Sequence, residues 1–182
     1  MRRLCVFCGS NSGSDPRFAE AADILGKELA QQKIGLVFGG GAVGLMGITA
    51  RAALAEGGSV IGVIPRQLFD REVGLKECSE LRVVETMHER KAMMADLSDG
   101  FIALPGGIGT LDELCEIMTW AQLGIHGKPI ALLNTAGYWN GFLSFLDSAV
   151  KDGFMSERSR DLLWTEQEPK RALKRLRGER VS

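Results

Sequence analysis

The sequence predicts a doubly wound α/β fold, a single domain in which one parallel sheet carries helices on both faces. Three observations lead there. Short runs rich in β-branched residues alternate along the chain with amphipathic or alanine-rich stretches of helical length. The runs are apolar throughout rather than at every second position, the pattern of strands covered on both faces. The 182 residues, 45% hydrophobic, suit one domain of slightly more than the commonest size with a full core.

Taken in chain order, "RLCVFC" (3–8) is the first strand and 15–33 the first helix. "IGLVF" (34–38) and the alanine-rich 43–57 form the second strand and helix, and "SVIGVI" (59–64) the third strand. The stretch 65–80, "PRQLFDREVGLKECSE", has no clear element and is too long for an ordinary connection, which marks it as a functional loop. "LRVVE" (81–85), "GFIAL" (100–104) and "PIALLN" (129–134) supply three more strands, with helices over 87–98, 110–124 and 138–152. After 153 the pattern weakens. A short apolar patch, Leu162 to Trp164, precedes a basic helix carrying Arg171, Lys174, Arg175 and Arg177, and 166–182 reads as a solvated basic tail within the same domain 1–182.

Composition excludes several classes of function. A formal net charge of −1 offers no bulk attraction for nucleic acid or an anionic membrane. "MRRLCVFCGS" lacks the apolar run of a signal peptide, and no stretch approaches the roughly 20 apolar residues that span a bilayer. A cytoplasmic protein is expected. Cys5-x-x-Cys8 lies in a strand, and Cys78 and Cys115 stand alone, so neither a redox pair nor a zinc site is indicated. Buried, reduced thiols behaving as small hydrophobes account for the cysteines. No cluster has metal-ligand spacing, and no metal or cofactor is expected.

In a doubly wound sheet, ligands bind at the carboxyl ends of the strands. Three strand ends here carry unusual chemistry: "CGSNSG" after the first, "GGGAVGLMG" after the second and "PGGIGTLDE" after the fifth. The second matches G-x-G-x-x-G through Gly39, Gly41 and Gly44. A nicotinamide dinucleotide also needs an acid at the end of the next strand, and that strand ends in Pro65. Neither loop has the Gly-Lys-[Ser/Thr] ending of a Walker A motif. In "PGGIGTLDE" the glycines free backbone N–H groups to surround an anion at a helix start. Thr110-x-x-Glu113 is at once a capping box and a candidate for an active-site acid, and spacing does not decide between them. "MHERKAMM" (87–94) brings Arg90 and Lys91 toward the same crevice, and the 65–80 loop adds Asp70, Glu72 and Glu77. His88 has no nucleophile at a recognisable spacing.

"ERKAMM" and "PGGIGTLDE", with "GGGAVGLMG" upstream, resemble the signature of the LONELY GUY (LOG) family of nucleoside 5′-monophosphate phosphoribohydrolases, over about residues 3–165. The resemblance implies a Rossmann-like fold, a homodimer or dimer-based assembly, and cleavage of the N-glycosidic bond of cytokinin nucleotides or AMP to free base and ribose 5-phosphate. It makes Arg90 and Glu113 the catalytic pair. Lys91, Thr119 and the run 107–113, with Gly107, Ile108, Gly109 and Thr110, would line the substrate pocket, and Gly106 leads into it. Glu72 falls where the family places a substrate-binding acid. Gly9 and Ser10 of the first loop and Gly40 and Gly41 of the second complete the expected substrate contacts.

Such proteins often carry a lysine decarboxylase label, but this sequence offers no argued pyridoxal-phosphate lysine. The chemistry fits the residues: departure of a base from ribose passes through an oxocarbenium-like state that a neighbouring carboxylate stabilises, or for which it activates water. Arg90 would orient that carboxylate or contact ribose or phosphate. The competing reading is a non-catalytic Rossmann-like nucleotide-binding or cofactor-carrier protein using the same loops. Apolar surface for an enlarged base is sought at Met93, Met94 or Trp120. The helix "LDELCEIMTWAQL" carries apolar residues (Leu114, Ile117, Met118, Trp120, Ala121) that serve either the core or a dimer interface.

Overall fold

A computed structural model describes residues 1–71 and 74–179. Its strands are β1 (Arg3–Phe7), β2 (Gly35–Phe38), β3 (Val60–Pro65), β4 (Glu80–Val84), β5 (Phe101–Ala103), β6 (Ile130–Leu133) and β7 (Leu163–Glu166). The helices are α1 (Pro16–Gln31), α2 (Gly44–Ala55), α3 (Arg66–Arg71), α4 (Met87–Asp96), α5 (Ile108–Gln122), α6 (Asn140–Lys151), α7 (Glu157–Arg160) and α8 (Pro169–Leu176). All strand pairings are parallel, in the spatial order β4-β3-β2-β1-β5-β6-β7. This is the doubly wound, Rossmann-like single-domain sheet that the sequence predicts, and its six expected strands are all present.

Alternation along each strand sorts side chains between two cores, because successive residues of a strand point to opposite faces. Leu4, Val6, Leu36, Phe38, Ile102 and Leu104 pack under α1, α2 and α8. Cys5, Phe7, Val37, Phe101 and Ala103 pack under α4, α5 and α6. Both kinds of position are apolar, hence the unbroken hydrophobic runs. α1 and α2 approach so closely that a Cβ on Gly26 would lie 2.3 Å from the Thr49 carbonyl oxygen.

Two regions differ from the sequence expectation. The 166–182 segment is not solvated all round. Within it Ala172, Leu173 and Leu176 of α8 are buried against the sheet, while Lys170, Arg171, Lys174 and Arg175 face out. The seventh strand, β7, is four residues long and three of them are only half-buried, so its apolar signal is too weak to announce an edge strand. The 65–80 stretch is shortened by α3 and by the start of β4. Among the cysteines, Cys5 and Cys8 are buried, Cys78 is half-buried and Cys115 is exposed, all with free thiols. Cys115 therefore departs from the expectation of burial, since it sits on the outer side of α5.

The strand order reverses between β1 and β5, which opens a crevice at their carboxyl ends. The loops above it are joined by backbone hydrogen bonds: Leu104 N–H donates to the Phe7 carbonyl (2.9 Å), Gly9 N–H to Pro105 (3.0 Å) and Leu45 N–H to Gly9 (3.0 Å). The topology thus brings "CGSNSG", "GGGAVGLMG" and "PGGIGTLDE" to one place, as the sequence suggests.

Candidate active site

α4 starts at a capping box. The Glu89 N–H donates to Thr86 Oγ1 (3.1 Å), and the Thr86 N–H donates to Glu89 Oε2 (3.2 Å). Such caps are worth about 1 kcal/mol, and this one fixes the turn that carries Arg90. The Arg90 guanidinium crosses the crevice: Nε donates to the Val63 carbonyl at the end of β3 (3.1 Å) and Nη1 to Glu113 Oε1 (2.6 Å). It can lie there because residue 39 has no side chain. A Cβ on Gly39 would sit 1.9 Å from Arg90 Nη2.

The capping box anticipated as one role of Thr110 and Glu113 does not form. α5 begins at Ile108, with Gly107 as an N-cap that makes no side-chain cap bond. Thr110 is therefore already inside the helix, and the Glu113 carboxylate turns to Arg90 instead. The first intrahelical bond runs from Leu111 N–H to the Gly107 carbonyl (3.1 Å), so the N–H groups of Ile108, Gly109 and Thr110 have no acceptor within the helix. Residues 107–109 are exposed, and a Cβ on Gly107 or Gly109 would meet nothing within 4 Å. Open amides at the positive end of a four-turn helix make an anion seat. Gly106 backs it in close contact: a Cβ there would lie 2.1 Å from Thr110 Oγ1.

Arg90 and Glu113 are an almost dry ion pair, with side chains 11% and 10% exposed. Burial pushes the Glu113 carboxyl above its ordinary pKa, opposed by the charge and hydrogen bond of Arg90. A cavity of about 320 Å³ opens beside the pair. Of the residues singled out in the sequence, Gly9, Ser10, Arg90, Gly107, Ile108, Gly109, Thr110 and Glu113 line it.

Others lie elsewhere. Lys91 points between α4 and α5, paired with Asp112 (3.1 Å) and Glu116 (3.2 Å). Burial works to lower its pKa, but those two carboxylates outweigh it and hold the amine above its usual value. Thr119 is exposed farther along α5, its hydroxyl donating to the Cys115 carbonyl (2.7 Å). Gly40 and Gly41 shape the β2–α2 turn. Gly40 has a φ of 77° and accepts from Leu75 N–H, and Gly41 bridges to Gly74. Glu72 lies outside the described residues.

The cavity also takes in Val6, Cys8, Gly39, Met46 and Leu68, none of which sequence reasoning placed in the pocket. Gly39 and Met46 do stand in the glycine-rich "GGGAVGLMG", the one signal that could have found them. Its apolar wall is Met46, Leu68 and Ile108 rather than Met93, Met94 or Trp120, which pack into the core under α4 and α5. The five apolar residues of α5 weighed for core or interface likewise face the core, and the exposed ones are Ile108, Leu123 and Ile125.

Known proteins show the family to which the chain belongs. A family model described as "Possible lysine decarboxylase" matches residues 46–176. The chain is 51% identical over 175 residues to an Arabidopsis thaliana protein named cytokinin riboside 5′-monophosphate phosphoribohydrolase LOG3, covering 96% of this chain and 81% of the relative. It is 54% identical over 162 residues to the Oryza sativa subsp. japonica protein named cytokinin riboside 5′-monophosphate phosphoribohydrolase LOG, covering 89% of this chain and 67% of that one. Among solved structures, the molybdenum cofactor binding protein of the phototrophic bacterium Rippkaea orientalis superposes with a TM-score of 0.72, covering 97% of this chain and 95% of that one. At 22% identity that likeness speaks for the fold alone.

Proposed function

The chain belongs to the LOG family of cytokinin riboside 5′-monophosphate phosphoribohydrolases, and on that premise we propose that it hydrolyses the N-glycosidic bond of cytokinin riboside 5′-monophosphates and AMP to free base and ribose 5-phosphate. One observation carries the assignment: the buried Arg90–Glu113 pair and the open amides at the start of α5 share a single cavity. Each half of that arrangement suits one half of the substrate.

The N–H groups of Ile108, Gly109 and Thr110, with the dipole of α5 behind them, hold the 5′-phosphate. That anchoring sets the ribose beside Glu113, less than two helical turns on, and so turns collision into positioning. As the C1′–N bond breaks, its electron pair leaves with the base and positive charge develops on the sugar. The Glu113 carboxylate faces that charge and takes a proton from the attacking water. The water oxygen bonds to C1′, and the proton passes on to the departing base nitrogen. Arg90 orients the carboxylate and opposes the effect of burial on it, through its bond to Glu113, and is itself steadied by the Val63 carbonyl. Met46, Leu68 and Ile108 are the apolar surface available to a base and its substituents.

A pyridoxal-phosphate decarboxylase would need a lysine in the pocket to form a Schiff base. Among the described residues none lines this cavity, and Lys91 is held between two carboxylates outside it. No described helix is long and apolar enough to cross a membrane. A cytoplasmic homodimer is part of the same proposal. Leu123 and Ile125, 67% and 65% exposed just past the end of α5, supply apolar surface for self-association.

The test is to incubate the protein with AMP and with isopentenyladenosine 5′-monophosphate and to follow free base and ribose 5-phosphate. Release of both products in equal amounts is expected. No release from either nucleotide would overturn the assignment.

A further inference from the structure

The phosphate seat begins with two adjoining glycines, Gly106 and Gly107, whose peptide could adopt many orientations. Its carbonyl is held from outside the loop: the Tyr138 hydroxyl donates to the Gly106 carbonyl oxygen at 2.6 Å. The peptide before it is held as well, since Gly9 N–H donates to the Pro105 carbonyl. No described peptide is cis. In a trans peptide the N–H points opposite to the C=O. Pinning the Gly106 carbonyl toward Tyr138 therefore turns the Gly107 N–H away from Tyr138, and Gly107 lines the same cavity as Ile108, Gly109 and Thr110.

Tyr138 is itself carefully aimed. It follows a turn in which Ala136 and Gly137 both have positive φ, 56° and 73°. That region is sparsely populated for alanine, and it persists only where surrounding contacts over-determine it. Here Asn134 supplies them. Its Oδ1 accepts from Trp139 N–H (2.7 Å), and its Nδ2 donates to Asn140 Oδ1 (2.8 Å). The Tyr138 ring packs edge-on against Phe18 (5.5 Å) and Trp139 (5.0 Å), yet the residue stays 44% exposed. A strained turn and two aromatic contacts thus serve to place one hydroxyl.

We propose that Tyr138 is a positioning residue that acts through the Gly106 carbonyl to orient the Gly107 N–H as a donor to the substrate's 5′-phosphate. The inference rests on the phosphoribohydrolase reading above. Tyr138→Phe removes the hydroxyl and keeps the ring between Phe18 and Trp139, so the melting temperature should stay within about 2 °C of wild type. One hydrogen bond of ordinary net strength corresponds to about a fivefold effect. KM for AMP should rise about fivefold, with kcat falling less than twofold. The inhibition constant of ribose 5-phosphate should rise by the same factor, and that of adenine should not move.

An unchanged ribose 5-phosphate constant would overturn the proposal. So would a matching rise for adenine, which would signal a general loosening of the pocket. If the wild type releases no base from AMP, the functional reading fails by itself. Calorimetric titration of ribose 5-phosphate into both proteins then still decides the role of Tyr138: weaker binding by the variant supports it, and equal or absent binding overturns it.

Discussion

Replacing Glu113 by Gln separates what the carboxylate does for catalysis from what it does for the fold. Glutamine has nearly the same shape and keeps an oxygen for Arg90 Nη1, now 2.6 Å from Glu113 Oε1, but it cannot take a proton or face a cation as an anion. Loss of a positioned acid–base group costs about 10²- to 10⁴-fold, so kcat should fall about 10³-fold, or about 4 kcal/mol of barrier. Stability should acquire a different pH dependence. Burial raises the Glu113 pKa and outweighs the opposing pull of Arg90, so the folded protein binds this proton more tightly than the unfolded chain does. The stability linked to that proton is fully present below the unfolded value, near 4.5, and is lost as pH rises through the folded value. The wild type loses it progressively as pH rises above the unfolded value, whereas glutamine never titrates. Leaving Arg90 buried without its anion lowers the variant's melting temperature at both pH 4 and pH 7, but the deficit relative to wild type should be smaller at pH 7 than at pH 4. Base release from AMP and thermal melts at the two pH values read both effects. Turnover within tenfold of wild type would remove Glu113 from the chemistry. A deficit of the same size at the two pH values, or a larger one at pH 7, would show that burial does not raise the Glu113 carboxyl in the folded protein.

Arg90→Ala removes the cation that lowers the Glu113 pKa, so the acidic limb of the kcat/KM profile should move to higher pH; a limb that stays put would dissociate Arg90 from that titration. The same change leaves a buried carboxylate without its partner, which typically costs about 3–5 kcal/mol, readable in a denaturant titration at pH 7. Gly39→Ala puts a Cβ 1.9 Å from Arg90 Nη2, and misplacing a catalytic group by about 1 Å costs on the order of 10²-fold. Wild-type kcat in that variant would mean the guanidinium can act from another position. Gly26→Ala, far from the cavity, drives a Cβ to 2.3 Å from the Thr49 carbonyl oxygen. Overpacking of about 1–3 kcal/mol should lower the melting temperature by roughly 5 °C with kcat unchanged, and an undiminished melting temperature would show that α1 and α2 can separate at little cost.

Six of the strands were legible because their whole length is apolar, and the helices between them because of their composition and length. β7 was not, since an edge strand of four residues with half-buried side chains carries little hydrophobic signal. The inner face of α8 was masked by its basic outer face, although Ala172, Leu173 and Leu176 recur at a helical spacing. In the crevice, the glycine loops and the candidate pair Arg90 and Glu113 could be named from the sequence. The inward faces of Gly39, Met46 and Leu68 could not be, because each depends on where another segment lies.

The sequence alone determined the kind of chemistry available: apolar runs that must be buried on both faces, glycine loops at strand ends, and an arginine and a glutamate in separate motifs. Those features follow from local periodicity and residue type, which act over a few positions. Only the tertiary structure decided what Glu113 does. At the spacing of a capping box its carboxylate could have turned back to Thr110. α5 starts three residues earlier than that box requires, and α4 delivers Arg90 from 23 positions away to within 2.6 Å. A short-range pattern cannot register a contact made by the strand order, and it is the strand order that turns a capping residue into a buried, paired acid.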